Sequence, residues 1–267
     1  MEKNKNICII GGGNIGTAIY NGFSGTGKIP SSKFTITRRR KDYLSEFIDR
    51  GVNVTSDNAQ AVKNSEIILL TVLPKQLPAI IDEIKENLDQ SKIIVSVVTA
   101  YSIQEIKDMI GKEIPVILCM PNTAIAVSES MTCLAAMDKD KDQLDEVISY
   151  FELVGEVLKI PERLIPSATI LASCGVAFFM RYIRAASQGG IQVGFHAEEA
   201  QLIATQTARG ASKLLLSLGN HPETEIDKVT TPMGCTITGL NEMEHNGLSS
   251  ALIKGLVASY NEIKKLK

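Results

Sequence analysis

Ile7-Cys8-Ile9-Ile10-Gly11-Gly12-Gly13-Asn14-Ile15-Gly16 is the stretch whose reading decides the fold. Four apolar residues suit a buried first strand, and the G-x-G-x-x-G spacing of Gly11, Gly13 and Gly16 follows at once. Each glycine has a separate mechanical task. Gly11 permits the tight turn, Gly13 lets the backbone approach a pyrophosphate, and Gly16 lets the next helix lie close to the sheet. The amides of that helix's first turn, Asn14 and Ile15 among them, then face the phosphates. A bare glycine triplet also marks ordinary turns, so it is the strand before it and the helix Ile15-Gly16-Thr17-Ala18-Ile19 after it that give it meaning.

Outward from this loop, β-runs alternate with helical stretches. Strands are expected at Lys33–Thr37, Val52–Val54, Glu66–Val72, Lys92–Val98 and Val116–Met120, and helices at Lys41–Arg50, Gln76–Leu88 and Ser102–Ile110. Ser102 and Glu105 have the capping-box spacing, and Gly111 supplies the stop. This alternation predicts βαβ units and a mostly parallel, doubly wound Rossmann sheet. Met131–Met137 and Glu156–Ile160 read as edge strands flanking a helix over Lys141–Leu153. Past Pro161 only alanine-rich helical periodicity remains, at Ser167–Cys174, Ala177–Gln188, Glu198–Leu218 and Leu248–Leu266. The fold class is therefore α/β, with a Rossmann domain over residues 1–161 and an all-α domain over residues 162–267. These helices are apolar on more than one face, which predicts a dimer through that half.

Composition narrows the function. The chain has 267 residues, 44% hydrophobic, with a net charge of −2, so nucleic acid and anionic membranes are not expected partners. The apolar run Ile67–Leu73 is far too short to span a bilayer. Five scattered cysteines without C-x-x-C spacing, and three histidines without ligand spacing, predict reduced thiols in the cytoplasm and no metal site.

Two further stretches carry chemistry. At the end of the second strand, where NAD sites place an acidic residue, the chain has Thr37-Arg38-Arg39-Arg40. Guanidinium groups there would pair with a 2′-phosphate, so NADPH is expected over NADH, with NADH also possible. The helical half holds one polar, turn-forming island, Lys228-Val229-Thr230-Thr231-Pro232-Met233-Gly234-Cys235-Thr236-Ile237-Thr238-Gly239-Leu240. By spacing alone it is either a carboxylate-binding helix start or an ordinary N-cap after a proline turn. No nucleophile or acid–base pair stands out, which suits hydride transfer to a C=N bond.

The chain resembles pyrroline-5-carboxylate reductase, the family that makes L-proline from its cyclic imine precursor. The resemblance runs end to end through Gly11–Gly16, Val72-x-Pro74, Met120-Pro121-Asn122-Thr123, His221-Pro222 and Thr231-Pro232-x-Gly234-x-Thr236. It implies that the Thr236 hydroxyl holds the ring nitrogen, and that Thr231 and the amides of Gly234, Cys235 and Thr236 hold the substrate carboxylate. It also implies that Asn58 contacts the adenosine half, that Val72, Pro74 and Asn122 belong to the cofactor site, and that the helical half forms a homodimer, sometimes part of a larger ring. The chain departs from the family pattern at Met233, Cys235, Leu73, Leu118 and Ala124. A left-handed backbone at Met233 would make its turn strained. Two other functions compete: a β-hydroxyacid-type dehydrogenase, which needs a catalytic lysine, and a dinucleotide-binding protein without turnover.

Overall fold

The computed structural model describes residues 5–263 and 265. Eight strands form one sheet: β1 (Ile7–Ile10), β2 (Phe34–Thr37), β3 (Asn53–Thr55), β4 (Ile67–Leu70), β5 (Ile93–Ser96), β6 (Val116–Met120), β7 (Ser130–Ala135) and β8 (Gly155–Lys159). Their spatial order is β3-β2-β1-β4-β5-β6-β7-β8, with every neighbouring pair parallel except β6 and β7. The chain thus winds out from β1 to β3 and returns to β4 on the other side. A crevice opens between β1 and β4, where open α/β sheets bind ligands.

Period-two alternation along the strands builds two cores. Ile7, Ile9, Ile67 and Leu69 face one layer, which holds Phe23 of α1 (Asn14–Gly25), Phe47 of α2 (Ser45–Asp49) and Val147 of α6 (Lys141–Phe151). Cys8, Ile10, Ile68 and Leu70 face the other, with Val62 of α3 (Asn58–Lys63), Ile81 of α4 (Leu77–Ile84) and Ile106 of α5 (Ile103–Ile110). The expected capping box on α5 is present, with Ser102 and Glu105 bonded reciprocally, and Gly111 closes the helix at φ 67°. The helix expected over Lys41–Arg50 opens instead as a tight 3₁₀ turn over Lys41–Leu44. The strand expected at Met131–Met137 is interior, not an edge, because β8 pairs alongside it. A buried ion pair, Lys107 to Asp140 at 2.9 Å, ties α5 to the start of α6.

Burial also sets an alkaline limit on stability. Enclosure in the core pushes the Cys8 thiol from 9.0 up to about 12, only partly offset by the nearby Lys92 ammonium. A native thiol that stays protonated while the unfolded one ionises contributes stability that is whole below pH 9 and lost as pH rises toward about 12. Cys8→Ala is therefore expected to flatten the fall in stability over that window, as read by urea melts at stepped pH. An unchanged alkaline slope would show that Cys8 is not the group responsible.

The remaining chain is helical: α7 (Ile165–Ala168), a π-helical stretch (Thr169–Cys174), α8 (Gly175–Gln192), α9 (Ala197–Leu218), α10 (Pro222–Lys228), α11 (Cys235–His245) and α12 (Leu248–Ile263). The helix expected at Ser167–Cys174 is thus largely π-helical. Compactness divides the chain into residues 1–176 with 259–267, and residues 177–258. That division falls later than residue 161 because Ile165 and Ala168 are buried in the second core. In the 177–258 unit, Ala200 and Ser187 are the buried side chains, whereas Phe179, Leu202 and Leu216 stand 67%, 70% and 81% exposed. Glu162–Gln192, a 31-residue helical run, is long and apolar enough by length and composition to cross a membrane.

Candidate active site

The first unit holds a cleft of about 890 Å³ at the carboxyl ends of the strands. Its floor is the loop from β1 to α1. Gly11 sits at φ 111°, and a Cβ there would lie 2.9 Å from the Thr71 carbonyl oxygen. Thr71 fixes this turn from β4, its Oγ1 donating to the Gly11 carbonyl at 2.8 Å and the Ile10 carbonyl at 3.0 Å. Gly16 is set by packing, since a Cβ there would lie 2.3 Å from the Gly11 carbonyl oxygen. Gly13 differs from both: at φ −91° any residue fits the backbone, and a Cβ would meet nothing within 4 Å. Space is therefore left free at the N-terminus of α1, which has no side-chain cap and no acidic residue in its first turn. Bare amides and a positive dipole end with room in front of them fit a pyrophosphate.

On one flank lie Thr37, Arg38, Arg39 and Arg40. Arg38 donates through Nη1 to the Gly12 carbonyl at 2.8 Å. Among the described residues, none of these three guanidinium groups forms an ion pair with a carboxylate. Thr37 Oγ1 donates to Asn58 Oδ1 at 2.5 Å, and Asn58 Nδ2 donates to Glu83 at 2.9 Å, so a hydrogen-bonded chain closes this end. Val72 and Leu73 follow β4 along the opposite wall, and Met120, Pro121, Thr123, Thr169 and Ser173 complete it.

Two residues tied to the cofactor by resemblance lie outside the lining. Pro74 starts the 3₁₀ turn after Leu73. Asn122 is buried, its Oδ1 accepting from the Ala124 amide at 2.9 Å and its Nδ2 donating to the Ala172 carbonyl at 3.1 Å. Its side chain is thus used within the protein, pinning the loop that carries Pro121 and Thr123. Gln76, Thr71 and Thr99 line the cleft without having been singled out, because only the tertiary fold brings the segments after β4 and β5 to it.

The second unit carries the polar island. Thr231 accepts at its carbonyl from the Gly234 amide at 3.0 Å, and a Cβ on Gly234 would lie 2.5 Å from Thr231 Oγ1. Gly234 is the N-cap of α11, again without a side-chain cap or an acid in the first turn. Cys235 is exposed and Thr236 half-buried at that helix's start. Met233 adopts φ 58°, the left-handed conformation, with its side chain fully exposed. The turn is therefore strained by about 1 kcal/mol or more relative to glycine.

An uncapped helix N-terminus with open space before it, at the switch point of a doubly wound sheet, defines the class: a Rossmann-type oxidoreductase. Pyrroline-5-carboxylate reductase 2 of Dictyostelium discoideum is 42% identical over 99% of this chain and 94% of its own length. The chain belongs to the pyrroline-5-carboxylate reductase family. Residues 162–266 match the family model for pyrroline-5-carboxylate reductase dimerisation, and residues 6–100 match that for NADP oxidoreductase, coenzyme F420-dependent. Pyrroline-5-carboxylate reductase 1 of the same organism is 44% identical over 97% of this chain, which spans 49% of that relative's length. In fold, the chain matches the crystal structure of Plasmodium falciparum pyrroline carboxylate reductase with NADP bound at a TM-score of 0.91, with 22% identity and coverage of 100% and 99% of the two chains. Family membership sets aside the β-hydroxyacid dehydrogenase alternative.

Proposed function

We propose that this chain reduces 1-pyrroline-5-carboxylate to L-proline, the closing step of proline biosynthesis, with NADPH preferred over NADH. The observation that carries the cofactor reading is the flank Arg38–Arg40, which lines the cleft without carboxylate partners beside an uncapped helix N-terminus. Gly11, Gly13, Asn14, Ile15 and Gly16 would seat the pyrophosphate, and Thr37, Arg38, Arg39 and Asn58 the adenosine end. When bound, the dinucleotide supplies the hydride. The Thr236 hydroxyl would hold the imine nitrogen, and Thr231 with the amides from Gly234 to Thr236 would hold the carboxylate. Orientation and charge stabilisation are then what the protein contributes.

The minimal assembly we propose is a homodimer through the helical unit. Supporting it are Phe179, Leu202 and Leu216, whose exposure of such large apolar groups in one chain is otherwise costly. The same covering accounts for the apolar run Glu162–Gln192, which carries Arg163, Arg181 and Arg184. Five free cysteines support a cytoplasmic setting.

Steady-state NADPH oxidation with 1-pyrroline-5-carboxylate tests the reading. Thr236→Ala is expected to lower kcat/KM about 10- to 100-fold, the worth of one hydrogen bond to a charged group, with the Kd of NADPH unchanged within twofold. Arg38→Ala is expected to weaken NADPH about 10-fold and leave NADH unaffected. Imine reduction indifferent to Thr236→Ala removes the assigned role, and no turnover with NADPH still bound favours the non-catalytic alternative.

A further inference from the structure

Immediately after the arginines, the chain turns through Lys41–Leu44. Leu44 anchors that turn: it is fully buried, and a Cβ on Gly12 would lie 2.8 Å from its Cδ1. With Leu44 locked beneath the glycine loop, the preceding residue, Tyr43, stays at the surface with its side chain 56% exposed. The Arg38 guanidinium carbon lies 4.5 Å from the Tyr43 ring centroid, and that of Arg40 lies 4.8 Å from the same ring. Two like charges would ordinarily spread apart and sample solvent. An electron-rich ring face attracts both and limits that freedom.

Arg38 has a second tether, its hydrogen bond to the Gly12 carbonyl. Among the described residues, the Arg40 side chain has no hydrogen bond or ion pair, so the ring is its one ordering contact. An exposed aromatic residue therefore gathers two cations on the flank where the cleft ends, and a doubly charged anion is the ligand chemistry that such a pair matches.

We propose that Tyr43 is a positioning residue for cofactor selection: its ring holds the Arg38 and Arg40 guanidinium groups ready for the 2′-phosphate of a nicotinamide dinucleotide. This rests on the NADPH reading above and deepens it. Tyr43 acts through the arginines and needs no contact with the ligand. Its phenol hydroxyl has no part in this, so the ring alone should suffice.

Binding of 2′,5′-ADP and 5′-AMP to the full chain, followed by calorimetry, separates the terms, because the two probes differ only in the 2′-phosphate. Tyr43→Ala is expected to weaken 2′,5′-ADP about 5- to 30-fold, the worth of one to two exposed cation–π contacts, and to leave 5′-AMP within twofold. Tyr43→Phe, which keeps the ring, is expected to restore wild-type affinity for both. Equal weakening of both probes by Tyr43→Ala would overturn the proposal, since it would mean that the ring packs on adenine or merely supports the fold. Loss of affinity in Tyr43→Phe as large as in Tyr43→Ala would overturn it too. The Arg38→Ala and Arg40→Ala variants distinguish the two layers. If they leave the preference for 2′,5′-ADP intact, the NADPH reading itself fails. If they abolish it while Tyr43→Ala does not change it, only the role of Tyr43 falls.

Discussion

Gly13→Asp is expected to leave the fold intact, with Tm unchanged or slightly raised, and to weaken NADPH by roughly 1,000-fold or more. The backbone at Gly13 has φ −91° and ψ −167°, which any residue adopts, and an added Cβ meets open space. Aspartate is moreover among the best N-cap residues, and this N-cap has no side-chain acceptor, so the substitution adds roughly a few tenths of a kcal/mol of helix stability, glycine being itself a tolerable N-cap. The same carboxylate then occupies the amides that a pyrophosphate requires and repels its charge. Stability and binding move in opposite directions, which a general folding defect cannot imitate. Thermal melts alongside NADPH fluorescence titration check it, and tight NADPH binding by the variant would show that the phosphates sit elsewhere.

Gly155→Ala is expected to have the largest effect on folding, about 4 kcal/mol or more, with most of the protein insoluble. Gly155 lies at φ 144° and pairs with Ser130 between β8 and β7. A Cβ there would sit 2.0 Å from the Ser130 carbonyl oxygen and 2.5 Å from its nitrogen, both backbone atoms that cannot swing aside. The damage reaches the site, because Ser130 Oγ accepts from the Asn122 amide at 3.2 Å and so supports the loop bearing Pro121 and Thr123. Gly25→Ala is the control: its Cβ would meet nothing within 4 Å, and stability should stay within about 1 kcal/mol of wild type. Equal solubility and stability of both variants in urea melts would refute the close-packing argument.

The parts legible beforehand share a property: their chemistry is local. The β1 loop, the Ser102–Glu105 box and the Thr37–Arg40 cluster each fall within about ten residues, so chain order alone brings their groups together. The left-handed conformation of Met233, φ 58°, is raised only as a condition, by the family resemblance and not by the local sequence. Hydrogen bonds that depend on register were not legible, even for Asn58, which the resemblance names. Thr71 reaches Gly11, and Asn58 bridges Thr37 to Glu83, across 60, 21 and 25 positions of sequence respectively. Asn122 was singled out by its neighbours in sequence, yet its amide is spent on Ala124 and Ala172.

By itself, then, the order of residues determined the alternation of strand and helix, the glycine-rich loop after β1 and the basic flank, because periodicity, capping and turn geometry act over one or two turns of chain. Only the tertiary structure decided that β7 runs antiparallel inside the sheet, that Ile165 and Ala168 join the sheet core, and that Tyr43 gathers two arginines. Those outcomes depend on which distant surfaces compete to be buried against one another, and that competition is settled by packing over the whole domain.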